Sequence, residues 1–180
     1  MSRKVLLLSG FIASGKDTVA DYLVSMKNYR KFSFADSLKE FTANKYGFLK
    51  SLCYTHAGKK MPYTYPNGDV TTVRDLLIKE GGEQRALNEN VWIEYVINSI
   101  LKETLEDSKI VISDFRYPNE YLQIKKQFDD TTTIRITRED AGITDIESEH
   151  LLDNFSFDKY INNDGSYEEL YYGLQYLYGF

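Results

Sequence analysis

The chain is poor in the residues that most often carry redox, metal or nucleophilic chemistry: one cysteine and two histidines in 180 residues. A lone Cys53 forms no disulfide within the chain and leaves no cysteine-based zinc site of the usual kind. His56 and His150 lack Ser/His/Asp or metal-ligand spacing around them, which makes both surface or capping residues in expectation. Long apolar runs are missing as well. The opening Val5-Leu6-Leu7-Leu8 is too short for a signal peptide or a membrane span, so a reducing cytoplasm is the expected compartment. Positive charge is in deficit, with 22 Lys and Arg against 27 Asp and Glu for a net charge of −5. A polyanion must then be gripped by a local basic cluster, and stable nucleic-acid binding is not expected. Only 3 prolines accompany 42% hydrophobic and 27% charged residues, a globular balance. The length suits one domain that buries roughly two thirds of its unfolded surface.

The periodicities alternate between strand and helix. Val5 to Leu8, stopped by Ser9-Gly10, reads as a strand buried on both faces. Helical spacing follows from Lys16 to about Asn28, then a strand at residues 31–35 and a helix entered at Ser37. Residues 54–70 carry two prolines and Asn67-Gly68, the pattern of an exposed, mobile loop. Thr72 and Asp75 resemble a capping box for a helix that Gly81-Gly82 should stop. A core-facing stripe runs from Val91 to about residue 106. Ile110-Val111-Ile112 is a short strand, Tyr121 to Phe128 a helix, and Thr131 to Thr137 a strand. Residues 138–156 are acidic, with Gly142, as in an exposed flap. Tyr160-Ile161 makes a last short strand; Ser166 and Glu169 form a second capping box, and the tyrosines after it repeat at core-packing spacing with Leu170, Leu174 and Leu177. Alternation of this kind implies right-handed βαβ units, an α/β class and a parallel sheet that binds ligands at the carboxyl ends of its strands.

Gly10-Phe11-Ile12-Ala13-Ser14-Gly15-Lys16 has the G-x-x-x-x-G-K spacing between an expected strand and an expected helix, the context of a phosphate loop. Its amides and the helix N-terminus present N–H donors, and Lys16 supplies charge for the β and γ phosphates. The residue after the lysine is Asp17 where Ser or Thr is usual, with Thr18 one place on. A carboxylate is also a hard oxygen ligand, so Asp17 is a candidate Mg²⁺ ligand, directly or through water. Asp114, ending Ile110-Val111-Ile112-Ser113, stands where the second acidic group of such enzymes sits. Arg74, Arg85, Arg116, Arg135 and Arg138 fall near element ends, a set able to clamp phosphates.

These residues resemble the bacteriophage deoxynucleoside monophosphate kinase family, in which Asp after the loop lysine is usual. The matching runs are Leu8 to Thr18 with Ala20-Asp21; Phe34-Ala35-Asp36 with Leu38-Lys39; Arg74 to Leu77 with Gly81-Gly82-Glu83, Arg85 and Trp92; Ser113 to Arg116 with Asn119-Glu120; and Ile161 to Leu170. Together they span nearly the whole chain in order. The resemblance implies a P-loop NTPase fold of the nucleoside monophosphate kinase kind: a five-stranded parallel sheet flanked by helices, in a single domain over 1–180, with an acceptor region at about 36–90 and a lid at about 138–156. It implies transfer from ATP-Mg²⁺ to a deoxynucleoside 5′-monophosphate. Gly10, Ala13, Ser14, Gly15, Lys16, Asp17 and Thr18 would hold the donor phosphates, and Asn163, in the turn 162–165, the adenine. Asp36, Lys39, Arg74, Arg85, Trp92 and Asp114 would serve the acceptor, Asp17 and Asp114 the metal, and Lys16, Arg116 and Arg138 the transferred phosphoryl group. The partners implied are the two nucleotides, without membrane, in a monomer or homodimer; a phage-encoded chain would work in the host cytoplasm. Gly82 replaces a frequent threonine and the stretch 40–71 is short, so base choice does not carry over.

Two other readings start from the same loop. One is another small phosphate-loop kinase, acting on a modified nucleotide or base; the acidic charge counts against a DNA substrate. The other is a nucleotide switch, but guanine recognition would need Asn-Lys-x-Asp, and Asn44-Lys45-Tyr46-Gly47 lacks the aspartate.

Overall fold

The structure, a computed structural model, describes residues 3–139, 141 and 150–177. By contacts the chain divides into two compact units, one of 1–33 with 97–180 and one of 34–96.

The first unit is built on five strands: β1 (Lys4–Ser9), β2 (Tyr29–Phe32), β5 (Lys109–Ile112), β6 (Asp130–Thr137) and β7 (Lys159–Asn162). Their order is β2-β5-β1-β6-β7 and every pairing is parallel. β1 is central because Val5 to Leu8 are apolar on both faces and at most 1% exposed, and only an inner strand covered by helices on both sides buries such a run. One helical layer is α1 (Lys16–Lys27), whose Val19, Ala20 and Leu23 join Leu6, Leu8, Val111, Ile134 and Ile161 in one core cluster. α6 (Pro118–Gln127) starts at a proline in its first turn, and the Glu120 carboxylate accepts from the Arg116 and Tyr117 N–H groups (2.8 and 3.0 Å). α7 (Tyr167–Tyr172) starts at Ser166, with Glu169 closing the expected capping box.

The second unit holds α2 (Phe34–Tyr46), a 3₁₀ turn at Lys50–Tyr54, α3 (His56–Lys59), a hairpin of β3 (Pro62–Thr64) with β4 (Val70–Thr72), α4 (Val73–Leu87) and the first part of α5 (Val91–Glu103). Glu80 of α4 is fully buried and bonded to Lys45 Nζ and Tyr46 Oη, both at 2.7 Å. Burial opposes its charge; Lys45, Tyr46 and Gln84 outweigh that and hold the carboxyl below the ordinary glutamate range.

Several expectations are corrected. The strand set at 31–35 is Tyr29–Phe32, and helix begins at Phe34. Residues 54–70 are ordered into α3 and a hairpin closed around Asn67-Gly68. Gly81-Gly82 do not stop α4, which runs on to Leu87: a Cβ at Gly81 would stand 3.2 Å from Leu38 Cδ2, so the glycine lets α2 approach. In α7 and the π-helical turn Gly173–Leu177 that continues it, Leu170 and Leu174 are core, but Tyr167, Tyr171, Tyr172 and Tyr176 are 42–65% exposed, because the two leucines already fill the buried stripe. Nearly half of the flap, 140 and 142–149, lies outside the described residues, and so does Leu177's side chain. The end of the flap is packed: Leu152 is buried, and Phe155 meets Phe115 and Tyr121 edge-on.

Candidate active site

The carboxyl end of β1 leads straight into the loop 10–15. Ser14 N–H donates to the Phe11 carbonyl (3.1 Å), and Ala13 and Gly15 take left-handed conformations, φ 66° and 97°. The loop then enters α1, whose first bond runs from Val19 N–H to the Gly15 carbonyl (3.0 Å). Glycine is required at 10 by crowding, since a Cβ there would fall 2.4 Å from Ser14 Oγ and 2.5 Å from the Ile136 carbonyl oxygen. Lys16 bends back over the loop and donates to the carbonyls of Gly10 (2.6 Å) and Phe11 (2.8 Å). Ser14 is 1% exposed, and its hydroxyl has no hydrogen-bond partner among the described residues.

A cavity of about 580 Å³, within the range of small-ligand pockets, opens on this loop. Ala13, Gly15, Lys16, Asp17 and Thr18 line it, with Arg138, Asn163 and the segment Gly165 to Glu168. The expected donor residues therefore converge, while Gly10 and Ser14 shape the loop from behind. Arg138 is exposed at the end of β6. Asn163 is buried at 6% exposure and donates Nδ2 to the Ser14 carbonyl (2.9 Å). Next to it, Asp164 accepts from the Glu139 N–H and from Asn162 Nδ2. Those bonds, with Arg138 nearby, hold the Asp164 carboxyl below the ordinary aspartate value.

The two candidate metal ligands both belong to this unit. Asp17 is 81% exposed on its side chain and pairs with Lys31 Nζ at 2.8 Å. Burial disfavours the Lys31 charge, but Asp17 and Asp21 outweigh it and its pKa rises. Asp114, just past β5, accepts from Ser33 Oγ at 2.9 Å. No cluster of three or more metal-ligating side chains occurs among the described residues. Arg116 is half-buried near the start of α6. Arg135 plays another part: it is 9% exposed, donates to Ser9 Oγ (3.0 Å), lies 3.5 Å from Asp153 and stacks its guanidinium 4.7 Å from the Phe11 ring centre, so it supports the loop from beneath.

The expected acceptor residues other than Asp114 lie in the second unit. Asp36 and Lys39 pair at 2.8 Å on α2, and Lys39 also covers the Tyr54 ring. Arg74 and Arg85 stand eleven residues apart on α4, about three turns, so they share a face. Trp92 is 2% exposed, packed with Phe41 and Tyr95, and its indole N–H has no partner among the described residues. Sequence reasoning missed Ser166, Tyr167 and Glu168 of the cavity and the fully buried Glu80. The first three were within reach, since they directly follow the turn 162–165. A buried glutamate within a helical pattern carries no such signal.

A central parallel strand, a glycine-rich loop with its lysine and the strand order above define the phosphate-loop NTPase fold. No protein-family model matches the chain, and no curated protein matches it in sequence. Among solved structures it is similar to TT1252 from Thermus thermophilus, at 16% identity and a TM-score of 0.55 over 97% of this chain and 96% of that one. A shikimate kinase from Aquifex aeolicus vf5 also aligns, at 16% identity and a TM-score of 0.48 over 95% and 93%. No helix among the described residues is long and apolar enough to cross a membrane.

Proposed function

We propose that the chain is a small kinase that transfers the γ-phosphoryl group of ATP-Mg²⁺ to a deoxynucleoside 5′-monophosphate and releases the diphosphate. The observation that carries the reading is the left-handed loop with Lys16 beside a cavity that reaches from the loop to Arg138 and Asn163. The phosphates lie along the loop, where amides and the α1 N-terminus meet their charge. Lys16 exchanges its two loop carbonyls for β and γ phosphate oxygens. Arg138 and Arg116 offset charge on the phosphoryl group in flight, and the base lies toward Asn163 and Tyr167. Bound Mg²⁺, held by Asp17 and Asp114, would neutralise phosphate charge.

The acceptor assignment rests on the family resemblance. Asp36, Lys39, Arg74, Arg85 and Trp92 all fall in the unit 34–96, with arginine forks suited to a monophosphate. Asp114 is the acceptor residue outside it.

A panel of deoxy- and ribonucleoside monophosphates, each with ATP and Mg²⁺ and scored for ADP, tests the proposal. ADP formed only with deoxynucleoside monophosphates supports it. ADP formed at the same rate with no acceptor makes the chain a hydrolase or switch, and no ADP under any condition sinks the kinase reading.

A further inference from the structure

We propose that Asn163 is a positioning residue of the phosphate loop, whose side chain holds the loop in its phosphate-binding form and ties it to the turn 162–165. The inference rests on the kinase reading for what the loop binds.

Asn163 is fixed before its side chain acts. Its N–H donates to the Thr137 carbonyl (2.9 Å), which extends the β6–β7 pairing by one residue. The side chain is thereby aimed inward, and its Nδ2 reaches the Ser14 carbonyl, 149 residues away in sequence. Ser14 lies between the two left-handed residues Ala13 and Gly15. Such a conformation is unfavourable for alanine and persists only where the surroundings over-determine it. The Asn163 bond supplies that constraint at the residue in between. Gly15 completes the arrangement, because a Cβ there would fall 2.2 Å from Asn163 Nδ2. The carboxamide fills the space that a side chain at position 15 would need.

The other side of the turn is anchored to β6. Asp164 accepts from Glu139 N–H and from Asn162 Nδ2, and its own N–H donates to Asn162 Oδ1 (2.9 Å). Loop, turn and the segment at Arg138 therefore form one hydrogen-bonded bracket around the cavity. With Nδ2 committed to the loop, Asn163 acts on the phosphates through Ser14 as well as bordering the base end.

Inorganic tripolyphosphate, which has no base, separates the roles. In the full chain Asn163→Ala should weaken tripolyphosphate and ATP alike, by about tenfold in calorimetry. In the ligand-free protein, exchange of the Ser14 amide should accelerate by a similar factor while the β1 amides keep their protection. Asn163→Asp has the same shape without the donor, so it should speed that exchange as alanine does. Wild-type exchange in the aspartate variant, or a loss confined to ATP with tripolyphosphate binding unchanged, overturns the proposal. If the unmodified chain binds neither ligand, the kinase reading fails, and the exchange of the Ser14 amide decides the positioning role alone.

Discussion

The Lys16 ammonium lies 2.6 Å from the carbonyl oxygen of Gly10, six residues earlier, and also bonds to Phe11. One side chain thus bonds back onto the loop and carries the charge proposed to meet the phosphates. Lys16→Ala should abolish transfer and, since it removes hydrogen bonds to the loop and no buried apolar side chain, cost about 1 kcal/mol or less of stability. An ADP-release assay beside a thermal melt checks both. Transfer at the wild-type rate in a folded variant would remove Lys16 from the mechanism.

Asp17 faces two cations, the Lys31 ammonium and the metal it is proposed to hold. Asp17→Asn keeps the shape and loses the charge, so the Mg²⁺ midpoint of the reaction should rise. Lys31→Ala releases the carboxylate and should lower that midpoint slightly, by no more than about fivefold for a pair this exposed. Magnesium titrations of both variants give the answer. Unchanged midpoints would leave Asp17 as a helix-start residue paired with Lys31.

Glu80 is the buried charge of the second unit, and its partners Lys45, Tyr46 and Gln84 reach it from α2 and α4. Glu80→Ala strands a tyrosine hydroxyl and a half-exposed lysine and should cost about 2 kcal/mol. Glu80→Gln, which still accepts from both, should cost less. Denaturant unfolding that finds the two variants equally stable would show that hydrogen-bond acceptance at position 80, charge apart, contributes nothing.

How much of this was legible beforehand depends on the range of the interaction involved. Val5 to Leu8, Gly10 to Lys16 and Ser166 with Glu169 each carry their meaning within a few residues, and the structure places strand, loop and cap where the pattern puts them. Gly81 was misread because its cause lies in Leu38, forty-three positions away, and a helix stop and a helix contact look alike in one dimension. The tyrosines of α7 repeat at helical spacing, yet Leu170 and Leu174 take the buried stripe and leave the rings outside. Arg135 and Asn163 were legible as polar residues near element ends; that one lies beneath the phosphate loop and the other bonds to it across 149 residues follows only from the sheet order.

Asp164 supplies a titration that reports on the bracket. Its carboxylate accepts from the Glu139 N–H, and the protonated acid accepts far more weakly, so folding favours the charged form and lowers the pKa. The sign follows by linkage. The contribution is complete above the ordinary aspartate pKa and is lost as the pH falls through the lower folded value, so it is constant across the neutral range and disappears only in acid. The Glu139 amide shift in NMR should follow this titration with a midpoint below that of an ordinary aspartate. Arg138→Gln removes one cause of the shift, the nearby guanidinium, and should move the midpoint upward, while Asp164→Ala should remove the Asp164 step from the Glu139 amide profile. A midpoint at the ordinary value in the unmodified chain would mean that the turn is not held to the end of β6, and the bracket around the cavity would lose its outer anchor.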